Sequence, residues 1–447
     1  MTEKKYFGTD GIRGKVGEYP ITPDFFLKLG WALGQTLKNL KEPSVLIGKD
    51  TRLSGYMLET ALASGLTASG VHVYFLGPIP TPAVAALTQQ LQAHMGIVIS
   101  ASHNPYPDNG IKCFDSFGNK ISDEKELEVE KLLQQEIKVV DAKVMGRNFR
   151  LPTARADYID FCKQTAPDLR LKGLKIALDC AHGATYHVAP VLLKELGADI
   201  VSIGVQPNGF NINEKVGSTN ISTLAEFVLK EKANLGIAYD GDGDRLIMVD
   251  EKGEVLDGDD ILFIIVKHYQ ALKKNIGGVV GTLMSNLGLE QAINKMGLPF
   301  ERVNVGDRYV LSKLQEQDWI LGGETSGHIL CLDKVSTGDG IASSLQVLEA
   351  LQMQGGTLSE LRQGWTKLPQ VMVNVKTKKM NGQVLNNERI KTAVAEVEHE
   401  LQNSGRVVLR SSGTEPVVRV MVEGTDHEKI KALANRLASV VTEVAGA

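Results

Sequence analysis

Three aspartates alternate with glycines in the middle of the chain, over Asp240, Gly241, Asp242, Gly243 and Asp244. Because glycine carries no side chain, the three carboxylates can converge on one point. Such a concentration of negative charge needs a cation, and oxygen ligands alone favour Mg²⁺ or Ca²⁺ over zinc. A polar turn would need only one Asp-Gly pair. The spacing therefore predicts a divalent metal site.

An EF-hand calcium loop is the alternative for this segment. The aspartates match its first three ligand positions, and Glu251 falls on its twelfth. The sixth position of that loop needs glycine for a sharp turn, and here it is Arg245. The flanking segments 235–239 and 246–249 are apolar and strand-like, whereas helices flank an EF-hand loop. We therefore favour Mg²⁺, which usually binds a phosphate oxygen as well.

The composition restricts the class of protein. A chain of 447 residues is too long for one core and predicts three or four domains. The net charge of −4, without a basic tract, argues against a nucleic-acid partner. The longest apolar run, Ile261 to Val266, is too short to cross a membrane. The first residues lack a signal-peptide pattern and the cysteines are scattered, so we predict a cytoplasmic protein.

A strand–helix–strand pattern occurs three times along the chain. The first strand of each copy begins at Val45, Ile176 and Val279. A glycine stands just before the second strand of each copy: Gly70, Gly197 and Gly297. A third strand follows in each copy, at 96–99, 236–239 and 319–321. This alternation predicts three α/β domains with parallel sheets.

The loops after the third strands are all polar or rich in glycine. They are residues 100–105 (Ser-Ala-Ser-His-Asn-Pro), the aspartate cluster, and residues 322–328 (Gly-Gly-Glu-Thr-Ser-Gly-His). Ligands of open α/β sheets bind beyond the carboxyl ends of the strands. We therefore expect the three loops to form three walls of one cleft.

The carboxy-terminal part breaks this pattern. Segments 371–375, 407–409 and 417–422 are strand-like, and residues 410–416 (Arg-Ser-Ser-Gly-Thr-Glu-Pro) connect the last two. Hydroxyls, a glycine and backbone amides between Arg410 and Arg419 suit a phosphate group. This loop is a predicted phosphate site.

These four loops, together with residues 7–14 (Phe-Gly-Thr-Asp-Gly-Ile-Arg-Gly), resemble those of the α-D-phosphohexomutase superfamily over essentially the whole chain. The resemblance implies a heart-shaped α/β protein with a central cleft. It has three repeated mixed or parallel α/β domains and a smaller α+β domain at the carboxyl end. The predicted domains are 1–152 with the phosphoserine loop, 153–254 with the metal-binding loop, 255–367 with the sugar-binding loop, and 368–447 as a phosphate-binding lid.

The resemblance also implies the roles of single residues. Ser102 carries phosphate in the resting enzyme, and its phosphate oxygen joins Asp240, Asp242 and Asp244 in binding one Mg²⁺ per active site. Glu324 and Ser326 bind the sugar. A cationic lining with catalytic roles consists of Arg13, Lys112, Arg245 and His328. The phosphate of the substrate binds to Arg410, Ser411, Ser412, Gly413, Thr414 and Arg419.

The implied reaction is an isomerisation that moves phosphate within one hexose phosphate. A glucosamine or glucose 1,6-bisphosphate is both intermediate and activator, and the sugar turns around between two phosphate transfers. The amino-terminal motif favours glucosamine-6-phosphate and glucosamine-1-phosphate as the isomers, which would supply UDP-N-acetylglucosamine and peptidoglycan precursors. The alternative is a phosphomannomutase or phosphoglucomutase with the same mechanism.

Other points stay open at the level of sequence. A binding protein for metal ions or sugar phosphates is the non-enzymatic hypothesis, and the intact Ser102 argues against it. Either Lys112 or His328 can be the general base. The partner is a small phosphosugar, and the protein is a monomer or a homodimer. The family pattern is not followed at Cys113, Val216, Thr325 and Ser411, none of which is the nucleophile or a metal ligand.

Overall fold

The computed structural model describes residues 4–8, 10–377, 382–411 and 417–445. The chain forms two compact units. The first consists of Met1–Val280 and Gly306–Gln363, and the second consists of Gly281–Val305 and Gly364–Ala447. Within the described ranges, every helix is too short or too polar to cross a bilayer.

The first sheet lies in the amino-terminal part of the first unit. Its strands are β1 (Ile12–Lys15), β2 (Ser44–Lys49), β3 (His72–Pro78), β4 (Met95–Ile99), β5 (Asp108–Asp115) and β6 (Asn148–Arg150). The helices are α1 (Pro23–Gln35), α2 (Ser54–Ala68), α3 (Thr81–Gln90) and α4 (Asp123–Leu132). The strand order is β1-β5-β4-β2-β3-β6. The four neighbouring strands β4, β2, β3 and β6 run parallel to one another. Because β2 and β4 are adjacent and parallel, their carboxyl ends lie side by side.

The second sheet is built in the same way. Its strands are β7 (Lys175–Asp179), β8 (Asp199–Ile203), β9 (Leu235–Tyr239), β10 (Leu246–Val249) and β11 (Val255–Leu256). Its helices are α5 (Ala154–Thr165), α6 (Ala189–Glu195) and α7 (Ser222–Glu231). The order is β11-β10-β9-β7-β8, with β9, β7 and β8 parallel and β10 antiparallel to β9. The aspartate cluster therefore connects two antiparallel strands, and no helix enters or leaves it, which excludes the EF-hand.

The third group of elements follows the second sheet along the chain. Its helices are α8 (Gly258–Ala271), α9 (Leu287–Lys295), α10 (Asp307–Gln317), α11 (Gly340–Gln354) and α12 (Leu358–Leu361). Its strands are β12 (Val279–Thr282), β13 (Phe300–Val303), β14 (Leu321–Gly323) and β15 (Ile329–Cys331). In the first unit, β12 pairs in parallel with β14 through Val279 and Val280, and β14 pairs antiparallel with β15.

The prediction of a strand over 319–321 was wrong at its start, because β14 begins at Leu321. The residue before Trp319, Asp318, ends α10 in the left-handed conformation with φ +55°. The indole of Trp319 then packs on Gly277 and Gly278, where added Cβ atoms would lie 2.3 and 2.5 Å from its ring. Packing on two bare glycines thus takes this residue out of the strand pairing.

The three glycines of the repeated pattern end three helices. Gly70, Gly197 and Gly297 follow α2, α6 and α9 by two residues and have φ values of +86°, +103° and +80°. Residues with a Cβ rarely adopt this left-handed conformation, whereas glycine does so readily. Each glycine therefore lets the chain turn directly from a helix into the next strand.

The second unit contains the carboxy-terminal sheet. Its elements are β16 (Gln370–Lys376), α13 (Glu388–Leu401), β17 (Gly405–Ser411), β18 (Val417–Gly424) and α14 (His427–Ala445). The sheet is antiparallel in the order β16-β18-β17. Its core is formed by buried residues of the sheet and α14, among them Val375, Val418, Val420, Leu437 and Val441.

Candidate active site

Ser102 lies just beyond β4, at the carboxyl edge of the first sheet. It is buried and adopts the left-handed conformation with φ +50°, which a residue with a Cβ holds only when its surroundings enforce it. Its Oγ donates a hydrogen bond of 2.5 Å to Oδ2 of Asp240. The predicted nucleophile of the first sheet and the aspartate cluster of the second therefore meet directly.

Arg52, in the segment that follows β2, anchors the Ser102 loop. Its side chain is fully buried and pairs with the carboxylate of Asp50. The guanidinium also donates to the carbonyl oxygens of Ser102, at 3.2 Å, and of Asn104, at 2.5 Å. The Oγ of Ser100 donates to the same Asp50 carboxylate at 2.5 Å and accepts the backbone N–H of Ser102. A buried ion pair beyond β2 thus fixes the strained loop beyond β4.

Asn213, in the segment between β8 and α7, anchors the same loop. Its Nδ2 donates to the carbonyl oxygens of Ser102 and Asn104 at 2.9 and 3.1 Å. The segment that carries Asn213 is anchored by Asp179, whose carboxylate accepts the backbone N–H of Gly217 at 2.6 Å. The Ser102 loop is therefore clamped between side chains that come from beyond two different sheets.

The carboxylates of Asp240, Asp242 and Asp244 converge as the sequence predicts. All three residues are buried, and one oxygen of each lies within 4.8 Å of the others. The Oδ1 atoms of Asp242 and Asp244 are buried and accept no hydrogen bond from the described part of the chain. Leaving buried carboxylate oxygens without a partner is costly, and a divalent cation satisfies all three groups. The donor set fits such an ion.

The pKa values of Asp240 and Asp244 are shifted in opposite directions. Burial and the negative charges of Asp244 and Asp242 raise the pKa of Asp240 well above its usual value. Burial acts in the same sense on Asp244, but the charges of Lys112 and His328 outweigh it and hold the pKa of Asp244 well below its usual value. Without a cation, full ionisation of the cluster is therefore unfavourable.

Lys112 is a buried cation beside the cluster. Its Nζ lies 3.1 Å from Oδ2 of Asp242, 2.9 Å from Oδ2 of Asp244 and 3.2 Å from Oδ2 of Asp10. Burial alone would lower the pKa of Lys112, but these carboxylates raise it well above its usual value. These carboxylates therefore favour the ammonium form of Lys112, and the residue is not a surface lysine.

Three residues that the sequence analysis did not single out extend this network: Asp10, Lys120 and Asp307. Asp10 pairs with Arg13 and Lys112, and its Oδ1 accepts a hydrogen bond of 2.5 Å from Nζ of Lys120. Lys120 in turn lies 2.5 Å from Oδ2 of Asp307. Asp10 belongs to the amino-terminal motif and could have been proposed from it, whereas no motif marks Lys120.

Glu324 and Arg245 line the same region. Oε1 of Glu324 accepts the backbone N–H of Gly306 at 2.9 Å, so its largely buried carboxylate has a fixed position. The backbone N–H of Arg245 donates to Oδ1 of Asp240 at 3.2 Å, which places Arg245 directly beside the aspartate cluster. Ser326 lies in the turn after Glu324 and is exposed.

His328 lies between two carboxylates. Its Nδ1 is 3.9 Å from Oδ2 of Asp244, and its Nε2 is 3.6 Å from Oδ2 of Asp307. Burial alone would lower the pKa of His328, but Asp244 and Asp307 raise it. The ring packs flat against Gly338, where an added Cβ would lie 2.2 Å from Nε2. The imidazole therefore has one fixed orientation.

His103 follows Ser102 and differs from His328 in its electrostatics. Its Nδ1 is 3.4 Å from Oγ of Ser102. Burial, together with the positive charges of Arg245 and Arg13, lowers the pKa of His103 to about 4. A neutral imidazole at this position can orient the serine hydroxyl.

The predicted phosphate loop is only partly described. Arg410 and Arg419 face each other as partners across β17 and β18, and Ser411 faces Val418. Like charges directly opposite each other destabilise a strand pair, and a bound anion would relieve the repulsion. The other predicted residues of this loop lie outside the described residues: Ser412, Gly413 and Thr414.

Sequence comparison adds evidence from the family. The chain matches four phosphoglucomutase/phosphomannomutase family models: domain I over 4–139, domain II over 156–253, domain III over 257–368 and the C-terminal domain over 372–440. The chain belongs to the phosphoglucomutase/phosphomannomutase family. It is 54% identical over 445 residues to the phosphoglucosamine mutases of Salmonella paratyphi C (strain RKS4594) and Salmonella enteritidis PT4 (strain P125109). The match covers 99% of this chain and 100% of each relative.

Solved structures of the phosphoglucomutase/phosphomannomutase family share the fold. A family protein of Burkholderia thailandensis matches with a TM-score of 0.82 and 24% identity, over 99% of this chain and 98% of that one. The N-acetylphosphoglucosamine mutase of Aspergillus fumigatus, solved with GlcNAc-6P and magnesium, matches with a TM-score of 0.69 and 18% identity, over 99% and 96%. At these identities the likeness concerns the fold alone.

Membership of the phosphoglucomutase/phosphomannomutase family confirms the predicted fold class, with three α/β domains and a C-terminal domain, and makes the protein an isomerase. The aspartate cluster supports a divalent metal. The exact domain boundaries and the roles of single residues stay predictions. The structure brings Ser102, the three aspartates, Lys112 and His328 together, with Arg13 joined to them through Asp10.

Proposed function

We propose that this protein is a phosphoglucosamine mutase, which interconverts glucosamine-6-phosphate and glucosamine-1-phosphate. The full-length identity of 54% to curated enzymes of that name supports this substrate over mannose or glucose phosphates. The observation that carries the mechanism is the hydrogen bond from Ser102 to Asp240, at the edge of a three-carboxylate cluster. A serine in this position can carry a phosphate close to a bound cation.

We assign the phosphoryl group of the resting enzyme to Oγ of Ser102. Asp240, Asp242 and Asp244, with an oxygen of that phosphoryl group, would hold one Mg²⁺. When bound, this ion neutralises the charge that develops on the transferred phosphoryl group. The clamp of Arg52 and Asn213 keeps the serine loop rigid during both transfers, because its carbonyl oxygens are held from two sides.

Lys112 and Arg245 supply further positive charge to the transferred group. Neighbouring carboxylates raise the pKa of both Lys112 and His328, so protonation does not choose between them, and we propose both as candidates for the general base that accepts the proton of the attacking sugar hydroxyl. For His328, the Asp307 carboxylate 3.6 Å from Nε2 would stabilise the imidazolium that forms.

The sugar has to turn around between the two transfers, because Ser102 cannot move from one end of it to the other. We propose that Glu324 and Ser326 bind the 3- and 4-hydroxyls, which exchange places when the ring turns end for end. The intermediate is a 1,6-bisphosphate, and the same compound restores the phosphate on Ser102 when it is lost. Arg410 and Arg419 are proposed to bind the phosphate that is not reacting.

Substrate preference tests the proposal directly. We expect glucosamine-6-phosphate to give a kcat/KM at least about tenfold above those of glucose-6-phosphate and mannose-6-phosphate, which corresponds to about one charge-assisted hydrogen bond. A coupled assay with the three substrates at equal concentrations measures this ratio. A higher kcat/KM for mannose-6-phosphate would make the protein a phosphomannomutase instead.

The assignment of the phosphate loop makes a separate prediction. Arg419→Ala should raise the KM for glucosamine-6-phosphate by about 10-fold to 100-fold, because a charged hydrogen bond to phosphate is lost. Intact-protein mass should still show phosphate on Ser102 in this variant. Should KM stay unchanged while the serine loses its phosphate, Arg419 would bind the reacting phosphate, and the assigned roles would be wrong.

The use of the product and the state of the cysteines bear on the cellular compartment in which the protein acts. Glucosamine-1-phosphate would supply UDP-N-acetylglucosamine, and we propose that the protein acts in the cytoplasm. The four cysteines are all buried thiols without a disulfide, which suits a reducing compartment. A monomer or homodimer remains our prediction for its assembly.

A further inference from the structure

A cavity of about 390 Å³ adjoins His328 within the first unit. Residues 119–124 form one wall, and one face of α10 forms another. The residues that matter for its chemistry are Lys120, Asp307 and His328. The cavity is therefore lined by part of the cationic network described above and by several carboxylates, of which Asp307 is the one that neighbours His328.

The Asp307 carboxylate is a strong binding group for cations. Its Oδ2 accepts a hydrogen bond of 2.5 Å from the ammonium group of Lys120, and its Oδ1 accepts the backbone N–H of Arg308 at 2.8 Å. The side chain keeps an exposed fraction of 15%, so a ligand can reach it. Lys120 has a second carboxylate partner in Asp10, 2.5 Å away. The ammonium group of Lys120 thus already binds to Asp307. If an ammonium group of a ligand took its place, Lys120 would keep Asp10 as a carboxylate partner.

His328 supplies an independent indication of a ligand in this cavity. The side chain is more than nine-tenths buried, and its Nε2 makes no hydrogen bond to any described residue. Because Nε2 is 3.6 Å from Oδ2 of Asp307, a ligand group beside this nitrogen would lie next to the carboxylate as well. A buried polar atom without a partner is costly, so it indicates a polar group of the substrate, such as a ring hydroxyl, next to the Asp307 carboxylate.

Glu324 places the sugar ring relative to Asp307. Its Oε1 accepts the backbone N–H of Gly306, the residue directly before Asp307. In one of its two orientations, a ring held at its 3- and 4-hydroxyls by Glu324 presents carbon 2, the neighbour of carbon 3, to the start of α10. Carbon 2 carries the amino group of glucosamine.

We propose that Asp307 binds the 2-ammonium group of the amino-sugar phosphate and so selects it over sugars with a hydroxyl at carbon 2. This inference rests on the proposed function. An ammonium group forms a charge-assisted hydrogen bond with a carboxylate, whereas a neutral hydroxyl forms a weaker one. The selection of the amino sugar then depends on the charge of one side chain, and not on the shape of the cavity.

The test compares wild-type enzyme with Asp307→Asn, using glucosamine-6-phosphate and glucose-6-phosphate as substrates. In the variant, the ratio of the two kcat/KM values should fall by at least about tenfold, mainly through a higher KM for the amino sugar. The kcat/KM for glucose-6-phosphate should fall by a smaller factor, because Asp307 also neighbours His328 and its loss affects both substrates through that ring. Glu124→Gln, which removes an exposed carboxylate from the same cavity, should leave the ratio unchanged.

Two further variants keep the test decisive. Asp307→Ser repeats the measurement if the asparagine variant does not fold. Lys120→Met removes the present partner of Asp307 and should retain the preference for the amino sugar. The inference is wrong, and Asp307 has a structural role, if Asp307→Asn lowers the kcat/KM of both substrates by the same factor. It is also wrong if Lys120→Met abolishes the preference for the amino sugar as completely as Asp307→Asn does.

The outcome for the wild-type enzyme separates this inference from the proposed function. Wild-type enzyme that prefers glucose or mannose phosphates contradicts both. Wild-type enzyme that prefers glucosamine-6-phosphate, with a variant at position 307 that keeps this preference, contradicts only the inference.

Discussion

Replacement of Ser102 by alanine should lower mutase turnover by at least about 10⁴-fold, since removal of a covalent nucleophile leaves only the contributions of binding and charge. The hydroxyl is the group that carries phosphate between the two ends of the sugar, and the described part of the loop offers no second hydroxyl at the aspartate cluster. The variant should fold, because alanine tolerates the left-handed conformation at φ +50° about as well as serine does. Steady-state turnover and a thermal melt measure the two effects.

Ser100→Ala is the matched control for this substitution. Its Oγ bonds to Asp50 and accepts the backbone N–H of Ser102, so its loss should loosen the loop without removing the nucleophile. We expect a loss of activity of about 10-fold to 100-fold, as for other groups that orient a reacting residue, with phosphate still present on Ser102. Equal inactivation by both variants would mean that the Ser102 hydroxyl contributes only to the loop structure.

Replacement of Asp242 by asparagine should have the second largest effect. The change removes one of three negative charges from the cluster. It also replaces by an amide the carboxylate whose Oδ2 lies 3.1 Å from Nζ of Lys112 and 2.7 Å from Oγ1 of Thr81. Mg²⁺ relies on charged oxygen ligands, so we expect its affinity and kcat each to fall by at least about 100-fold, more than for the loss of an outer group. Titration of activity with Mg²⁺, and calorimetry without substrate, measure both.

Asp179→Asn is the matched control for the metal ligand. Asp179 is also a buried carboxyl at the end of a central strand, but it accepts backbone N–H groups of Ala181 and Gly217. Burial raises the pKa of Asp179 to about 6, in spite of these hydrogen bonds. This variant should lower the melting temperature while the Mg²⁺ dependence of the remaining activity stays that of the wild type. Full activity of the wild type in excess chelator would contradict the metal assignment.

The parts of the site that sequence predicts well are contiguous in the chain. The aspartate cluster converges because glycines separate its members, and the prediction that it follows a strand is confirmed by β9. Ser102 and Glu324 lie beyond the third strands of their own repeats, and the rule for ligands at the carboxyl edge applies to them. Periodicity and strand ends were sufficient to place these loops, whereas the choice of Ser102 and Glu324 within them came from the family resemblance.

The parts that sequence could not predict depend on long-range pairing. Arg52 and Asn213 reach the Ser102 loop from segments 50 and 111 residues away in the chain, and no local pattern distinguishes them from surface residues. Lys120 and Asp307 acquire their roles only because an ion pair joins residues 187 positions apart. The start of β14 was missed because the packing of Trp319 on two glycines outweighs its strand propensity.

The central claim is that the phosphate on Ser102 is transferred to the sugar in every cycle. Rapid-quench analysis of enzyme that carries radioactive phosphate on Ser102, mixed with unlabelled glucosamine-6-phosphate, tests it most directly. The account predicts that the label leaves the serine in the first turnover, at a rate no slower than kcat. It should appear first in the 1,6-bisphosphate and then in the monophosphate. Label that remains on Ser102 while many molecules of substrate are converted would contradict the account.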